Sequence, residues 1–296
     1  MSRAGLLVAL ALSVAAGLFA LGCGRGGASR TVIQNKGSDT LVNVAQAWAE
    51  AYKRVDPTVA VAVTGGGTGT GIAALINGTV DLANASRRIE PEELEMARRA
   101  GADPQEVTVG HDALAIFLHR NNPLDRISLE QLAEIYGEGG KSESWSDLGV
   151  EVPGCNSDEI VRVSRQNNSG TYVYFREAVL GERRDYKLGS RDMHGSKDVV
   201  DLVAKTPCAI GYSGLAYTIP EIEMPCLLGQ DGACVEPSIE SALDGSYPIS
   251  RPLFMYTRTA PEGAVKTYLD WILSDAGQCM LLEAGYAPVR PLSCDQ

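Results

Sequence analysis

The chain has 296 residues with 37 acidic and 26 basic side chains, a formal charge of −11 and a hydrophobic content of 45%. Such acidity argues against nucleic acid or an anionic membrane surface as partner, and any anion site must be built locally against an unfavourable average field. The apolar fraction supplies core for one large or two medium domains, so extended disorder is not expected.

At the start, Arg3 precedes an apolar run from Leu6 to Phe19, followed by Ala20-Leu21-Gly22-Cys23. The run is short for a membrane span of ~20 residues, and its end in small residues and a cysteine resembles a bacterial lipoprotein signal. The expectation is a signal peptide over 1–22, Cys23 as the lipidated first mature residue and a tether over 23–30. The protein would then be exported and held at a bacterial membrane by its lipid alone. An ordinary secretory signal, with Cys23 incidental, is the plainer reading.

Three β-loop-helix joints follow. Thr31-Val32-Ile33 leads into Gly37-Ser38-Asp39-Thr40, after which Leu41, Val44, Ala45, Trp48 and Tyr52 mark one helix face. Ser38, Asp39 or Thr40 is expected to cap that helix. Val59-Ala60-Val61-Ala62-Val63 leads into Gly65-Gly66-Gly67-Thr68-Gly69-Thr70-Gly71, then Ile72, Leu75 and Ile76 before a stop at Asn77-Gly78. Glycines there let backbone amides approach a ligand closely. No P-loop is present, because Ile72-Ala73 stands where Lys and Ser/Thr are needed, and G-x-G-x-x-G finds no register on residues 65–71.

The third joint is the most informative. Ile160-Val161-Arg162-Val163-Ser164 alternates as a strand does, and Tyr172, Phe175 and Val179 recur at helical spacing. Between them lies Arg165-Gln166-Asn167-Asn168-Ser169-Gly170-Thr171, with Ser169 where an N-cap belongs. Free N–H groups, the positive helix end, two hydroxyls and a guanidinium together favour a tetrahedral oxyanion. Capping and turning alone would explain Ser-Gly-Thr at one joint, but hydroxyl-rich loops at three are harder to dismiss.

Strands alternating with helices imply an α/β fold with largely parallel sheets, whose ligands sit at strand C-termini. Ala113-Leu114-Ala115-Ile116-Phe117-Leu118 and Pro252-Leu253-Phe254-Met255-Tyr256 read as buried strands that could cross between lobes. Besides Cys23 there are Cys155, Cys208, Cys226, Cys234, Cys279 and Cys294, an even number in a chain expected to be exported. Cys226–Cys234 and Cys279–Cys294 are the natural local pairs, which leaves Cys155 with Cys208. A metal site is not expected: no C-x-x-C occurs, and His111, His119 and His194 are scattered.

From about Val32 to Pro291 the chain resembles the phosphate-binding proteins of bacterial phosphate ABC importers. The resemblance is carried by Gly37-Ser38-Asp39-Thr40-Leu41, the loop Gly65 to Gly71, Val80-Asp81-Leu82-Ala83-Asn84-Ala85-Ser86-Arg87, Ile135-Tyr136-Gly137 with Trp145, Arg165 to Thr171, Ala209-Ile210-Gly211-Tyr212, and Tyr247-Pro248-Ile249-Ser250-Arg251-Pro252. It implies a two-lobed, type II periplasmic-binding-protein fold that closes on phosphate by a hinge. Lobe 1 would hold residues 31–113 and 252–296, and lobe 2 residues 114–251. Ser38, Thr40, the Leu41 amide, Thr68, Gly69, Ser86 and Arg87 would come from the first lobe. Arg165, Ser169, Gly170 and Thr171 would come from the second. The expected partners are inorganic phosphate and the permease subunits of an importer, with no cofactor and a monomeric state.

One departure matters. Many relatives carry an aspartate where Arg87 stands, and that aspartate accepts a hydrogen bond from protonated phosphate. Its loss should weaken discrimination against sulfate-like ions, while Arg87 and Arg165 together would match a dianion. The bland reading of Arg87 is a salt bridge to Glu90 or Glu93, and Asp39 is a possible substitute acceptor. An enzyme is poorly supported, since Gly211-Tyr212-Ser213-Gly214-Leu215 lacks the final glycine of a nucleophile elbow and no Asp/His cluster suits a two-metal phosphatase. Other readings are a binder of another tetrahedral oxyanion and an adhesion or scaffold lipoprotein, which would not need three anion loops.

Overall fold

A computed structural model describes residues 30–181, 183–229 and 232–294. The signal-like run, Cys23 and the tether up to residue 29 lie outside the described residues. Among those described, no helix is long and apolar enough to cross a membrane.

Strands β1 (Thr31–Gly37), β2 (Val59–Thr64) and β3 (Leu82–Ala85) build the first parallel sheet, with β1 between the other two. The chain then runs through the long β4 (Gln105–His119) into a second region. There, β5 (Arg126–Ser128), β6 (Val161–Arg165), β7 (Arg191–Met193), β8 (Ala209–Gly214), β9 (Ile222–Glu223), β10 (Cys226–Leu228) and β11 (Cys234–Val235) follow in order, and β12 (Ser250–Thr257) returns. The main strand order is β2-β1-β3-β12-β4-β8-β6-β7, while β11-β10-β5 form a small separate sheet. The sheets are parallel at the two ends but antiparallel in the middle, where β12 pairs with both β3 and β4 and β4 pairs with β8. The expectation of largely parallel sheets thus holds within each half only. The crossing strand and the returning strand run in opposite directions, so their pairing cannot be parallel.

Each half is a helix-sheet-helix sandwich, as the period-2 alternation of buried strands requires. Along β4, Leu114, Ile116 and Leu118 face one core with Tyr136, Trp145, Phe175 and Tyr212, whereas Ala115 and Phe117 face another with Val199, Val200 and Val203. Along β12, Leu253 and Met255 join Ile33, Trp48, Tyr52 and Tyr268, whereas Phe254 and Tyr256 pack with Leu75, Ala83 and Ala85. The helix Val42–Val55 buries Val44, Trp48 and Tyr52 on the expected face. Trp48 also donates its indole N–H to the Gly277 carbonyl at 2.8 Å, tying the C-terminal helices Gly263–Ile272 and Asp275–Glu283 back onto the first half.

The structure pairs Cys155 with Cys208, Cys226 with Cys234 and Cys279 with Cys294. Their separations are 53, 8 and 15 residues, so on loop-closure entropy the first constrains the unfolded chain most. Replacing Cys155 and Cys208 by serine should lower the unfolding free energy by about 4 kcal/mol, against about 3 kcal/mol for Cys279 and Cys294. Urea denaturation of the two double variants checks the ranking.

Candidate functional site

β1, β2 and β3 run parallel and β6, beyond β12, β4 and β8, runs against them, and the loops after these strands meet between the halves, where the Gly69 amide reaches the Asn168 carbonyl. β6 delivers Arg165 at its last position, and the turn after it places Ser169 as N-cap of the helix Gly170–Phe175. The Ser169 hydroxyl accepts the Thr171 amide at 3.2 Å, as its position in the sequence predicts. That helix is braced from behind by aromatic packing, with Phe175 stacked on Tyr212 at 3.9 Å and Tyr136 edge-on to both. Burial raises the Tyr212 phenol to about 12, and its hydroxyl is held by Ser164 at 2.6 Å and Tyr186 at 2.9 Å.

The two halves meet through the hydroxyl residues. Thr40 and Thr171, 131 positions apart, have their hydroxyls 3.1 Å apart. The Thr68 hydroxyl accepts the Ser86 amide at 3.1 Å and lies 3.4 Å from the Ser86 hydroxyl. A Cβ added to Gly170 would come within 2.4 Å of the Thr68 hydroxyl and 2.6 Å of that of Ser86, so the second half's helix end fits against these two groups only as glycine. Ser38, Thr40, Thr68, Ser86, Arg165, Ser169 and Thr171 are all buried. The structure therefore brings the expected hydroxyls and the Gly170 helix end to one place.

Several expected roles are occupied otherwise. None of Ser38, Asp39 and Thr40 caps the first helix, whose N-terminal position is Leu41 without a side-chain bond. Asp39 instead accepts the Gly66 amide at 2.8 Å and an Arg165 Nη2 bond at 3.1 Å, joining the halves. The Leu41 amide, assigned to the anion, donates to the Ser38 carbonyl at 3.2 Å, and its side chain is core. The Gly69 amide donates across the cleft to the Asn168 carbonyl at 3.0 Å, and Asn168 Nδ2 donates to the Gly66 carbonyl at 3.1 Å. The glycine loop thus lets one backbone approach another: Gly67, at φ +90°, would place a Cβ 2.8 Å from the Asn168 carbonyl oxygen.

Arg165 is 1% exposed, and its guanidinium donates to the Met193 and His194 carbonyls, the Ser196 hydroxyl and Asp39. Burial lowers its pKa, with the Asp39 charge opposing, yet a guanidinium stays protonated at neutral pH. Arg87 differs from expectation. Both of its Nη atoms close on the Glu93 carboxylate at 2.7 and 2.8 Å, and Nη1 also donates to the Arg88 carbonyl. Burial works against its charge, but the Glu93 bond and charge, helped by Glu90 and Glu177, raise its pKa overall. The structural reading of Arg87 is the one realised, because a bidentate carboxylate satisfies the fork that an anion would need.

A second arginine at the site went unassigned in the sequence. Arg251, its side chain 1% exposed on β12, donates through Nη2 to Thr40 Oγ1 at 3.3 Å, Thr171 Oγ1 at 3.1 Å and Asp112 Oδ2 at 2.8 Å. Its Nε also reaches Asp112 at 3.2 Å, and its Nη1 donates to the Ser86 carbonyl at 3.1 Å. Burial pushes the Asp112 carboxyl up, while the charge and hydrogen bonds of Arg251 pull it back. Removing one partner of such a pair leaves a bare buried charge, at a cost of about 3–5 kcal/mol. Tyr217 and Tyr286 complete the surroundings by donating to the Thr40 carbonyl, and Tyr217 also reaches that of Asp39 at 2.5 Å. Two signals were available: Arg251 lies in the Tyr247–Pro252 motif, and Asp112 is a carboxylate amid an apolar strand.

Among the described residues no group of three or more His, Cys, Asp or Glu side chains could hold a metal ion. The arrangement offers hydroxyls, a helix end and guanidiniums balanced by carboxylates, which is equipment for holding an oxyanion by hydrogen bonds.

A family model described as a PBP superfamily domain matches residues 25–276. The phosphate-binding protein PstS of Pseudomonas aeruginosa is 34% identical over 269 residues, covering 87% of this chain and 83% of the relative. Protein SphX of Synechococcus elongatus is 31% identical over 300 residues, covering 97% and 85%. Among solved structures, a phosphate ABC transporter substrate-binding protein with bound phosphate from Clostridium perfringens superimposes with a TM-score of 0.78 at 30% identity, covering 88% of this chain and 100% of that one. With the two-lobed fold and the loop motifs, these matches show that the chain belongs to the PBP superfamily, in the family of the phosphate-binding proteins of bacterial phosphate ABC importers.

Proposed function

We propose that the protein binds inorganic phosphate outside the cytoplasm and delivers it to the permease subunits of an ABC importer, by closing its two lobes on the anion. The observation that carries the reading is the meeting of Thr40 and Thr171 from opposite halves at 3.1 Å, beside Ser86, Thr68 and the Gly170 helix end. The names of the relatives support phosphate over sulfate and a binding role over a hydrolytic one. The lobes divide near 113/114 and 251/252, a reading supported by the separate cores on either side of β4 and β12. Each disulfide then stays within a single lobe, two in the second and one in the first, and leaves the hinge free. Cys23 carries a lipid anchor in this reading, and the protein works as a monomer.

Ser38, Thr40, Thr68, Ser86, Ser169, the Gly170 amide, Thr171 and Arg165 supply the hydrogen bonds. Closure desolvates them, so they gain strength over the same bonds in water without any chemical step. Isothermal titration with phosphate, sulfate and arsenate should give tight binding of phosphate and far weaker binding of sulfate; sulfate preference or no binding at all sinks the proposal. Arg165→Ala should weaken phosphate binding by about 2–5 kcal/mol.

Gly170→Ala offers a separate check on closure. Gly170 opens its helix, outside the interior where the helix preference of alanine counts, so thermal stability should change only slightly, and downward. Its methyl group would collide with the Thr68 and Ser86 hydroxyls, so titration should show phosphate affinity down by more than about tenfold.

A further inference from the structure

We infer that Arg251, held in place by Asp112, is the second cation of the anion site, and that Arg87 serves instead to fasten the Ser86 loop. This rests on the phosphate-binding reading and goes beyond it by assigning the residue that bridges both lobes.

The case begins with where the guanidinium points. Nη2 of Arg251 reaches Thr40 Oγ1 and Thr171 Oγ1, the two hydroxyls from opposite halves that approach each other most closely, while Nη1 holds the Ser86 carbonyl. One side chain therefore touches three of the loops that form the site. Arg165 comes from the other side of the cleft and meets Asp39, whose carboxylate also takes the Gly66 amide of the fourth loop. Arg251 stands on the strand that returns from the second half, whereas Arg165 ends a strand inside that half.

Charge logic favours the same assignment. A tetrahedral oxyanion taken out of water needs fixed donors and opposite charge at contact distance. Arg87 has no free fork to offer, since Glu93 takes both Nη atoms and the Arg88 carbonyl shares one of them. The carboxylate bound by Arg251 sits behind it: Asp112 is met by Nε and Nη2 through a single oxygen, Oδ2. That grip orients the guanidinium and leaves Nη2 directed at the two threonine hydroxyls, so an anion placed among them would meet a positive group already aimed at it. The face of the same guanidinium lies over the Tyr174 ring at 5.5 Å, and the Tyr174 hydroxyl donates to the Ser250 carbonyl at 2.5 Å, which stiffens the strand that carries Arg251.

A pair serving the fold alone and a pair serving the anion predict different responses to the two halves of the pair. Asp112→Asn keeps an acceptor oxygen for the guanidinium but loosens the grip that orients it, so phosphate affinity should fall by less than tenfold. Arg251→Gln should lower it at least 100-fold. Equal losses from both variants would mark a purely structural pair and overturn the assignment. Because Arg251→Gln alone strands a buried carboxylate, the double variant Arg251→Gln/Asp112→Asn restores charge balance. It should melt as a folded protein by circular dichroism and still fail to bind, and phosphate binding within threefold of the unaltered protein would overturn the inference. Arg87→Gln should cost less than tenfold in affinity and lower the melting temperature instead; a loss matching that of Arg251→Gln returns the second cation to Arg87. These titrations use the purified protein with inorganic phosphate. If the unaltered protein itself binds none, the phosphate-binding reading fails first and takes this assignment with it.

Discussion

Two arginine side chains, each 1% exposed, set the terms for the rest of the molecule. An ion of that size loses several kcal/mol of effective solvation when taken from water, so each needs a carboxylate and a full set of acceptors nearby. Arg165 finds Asp39 from the other half, and Arg251 finds Asp112 on the adjacent strand. The other acceptors are three backbone carbonyls at strand ends, those of Met193, His194 and Ser86, and the hydroxyls of Ser196, Thr40 and Thr171. The strand ends can supply these because β1 and β3 of one half run against β6 and β7 of the other, so that their C-terminal ends face each other across the cleft. The sheet geometry and the charge balance are thus one requirement.

The two ion pairs differ in what they join. Asp112 and Arg251 lie on neighbouring strands that pair directly, Arg251 opposite Asp112 in the ladder, so their contact persists wherever the two strands stay zipped. Asp39 and Arg165 come from opposite halves, so their contact exists only when those halves are together. The first pair behaves as part of the scaffold and the second as part of the closed state. The Gly69 amide on the Asn168 carbonyl and the Tyr217 hydroxyl on the Asp39 carbonyl belong with the second kind.

Local features could be read from the chain alone. Strand-loop-helix order, the Ser169 cap, the buried runs around Ala113 and Leu253 and the three cysteine pairs follow from short-range patterning and simple counting. What escaped was long-range. Arg251 meets Asp112 across 139 positions, Thr171 across 80 and Thr40 across 211, and no periodicity reports such a meeting. Arg87 was ambiguous for a different reason: its partner Glu93 is only six residues away, but whether the side chain folds back onto the following helix or forward into the cleft depends on rotamers that composition does not encode. The amides of Leu41 and Gly69, bonded here to the Ser38 and Asn168 carbonyls, show the same limit, since an N–H at a loop can serve a turn, a neighbouring lobe or an anion with equal local plausibility.

The long strand β4 carries Val109 into one core and Leu114, Ile116 and Leu118 into another, and β12 runs antiparallel beside it from Gln105↔Thr257 to Ala113↔Ser250. A two-stranded ribbon hydrogen-bonded along its length resists sliding and stretching but twists and flexes readily. The register shift between Leu253 and Phe254 marks the point on β12 where that ribbon is least regular. Twisting concentrated at that ribbon would turn one half against the other as a body, and Arg251, seated on the ribbon between Thr40 and Thr171, would lie at the pivot.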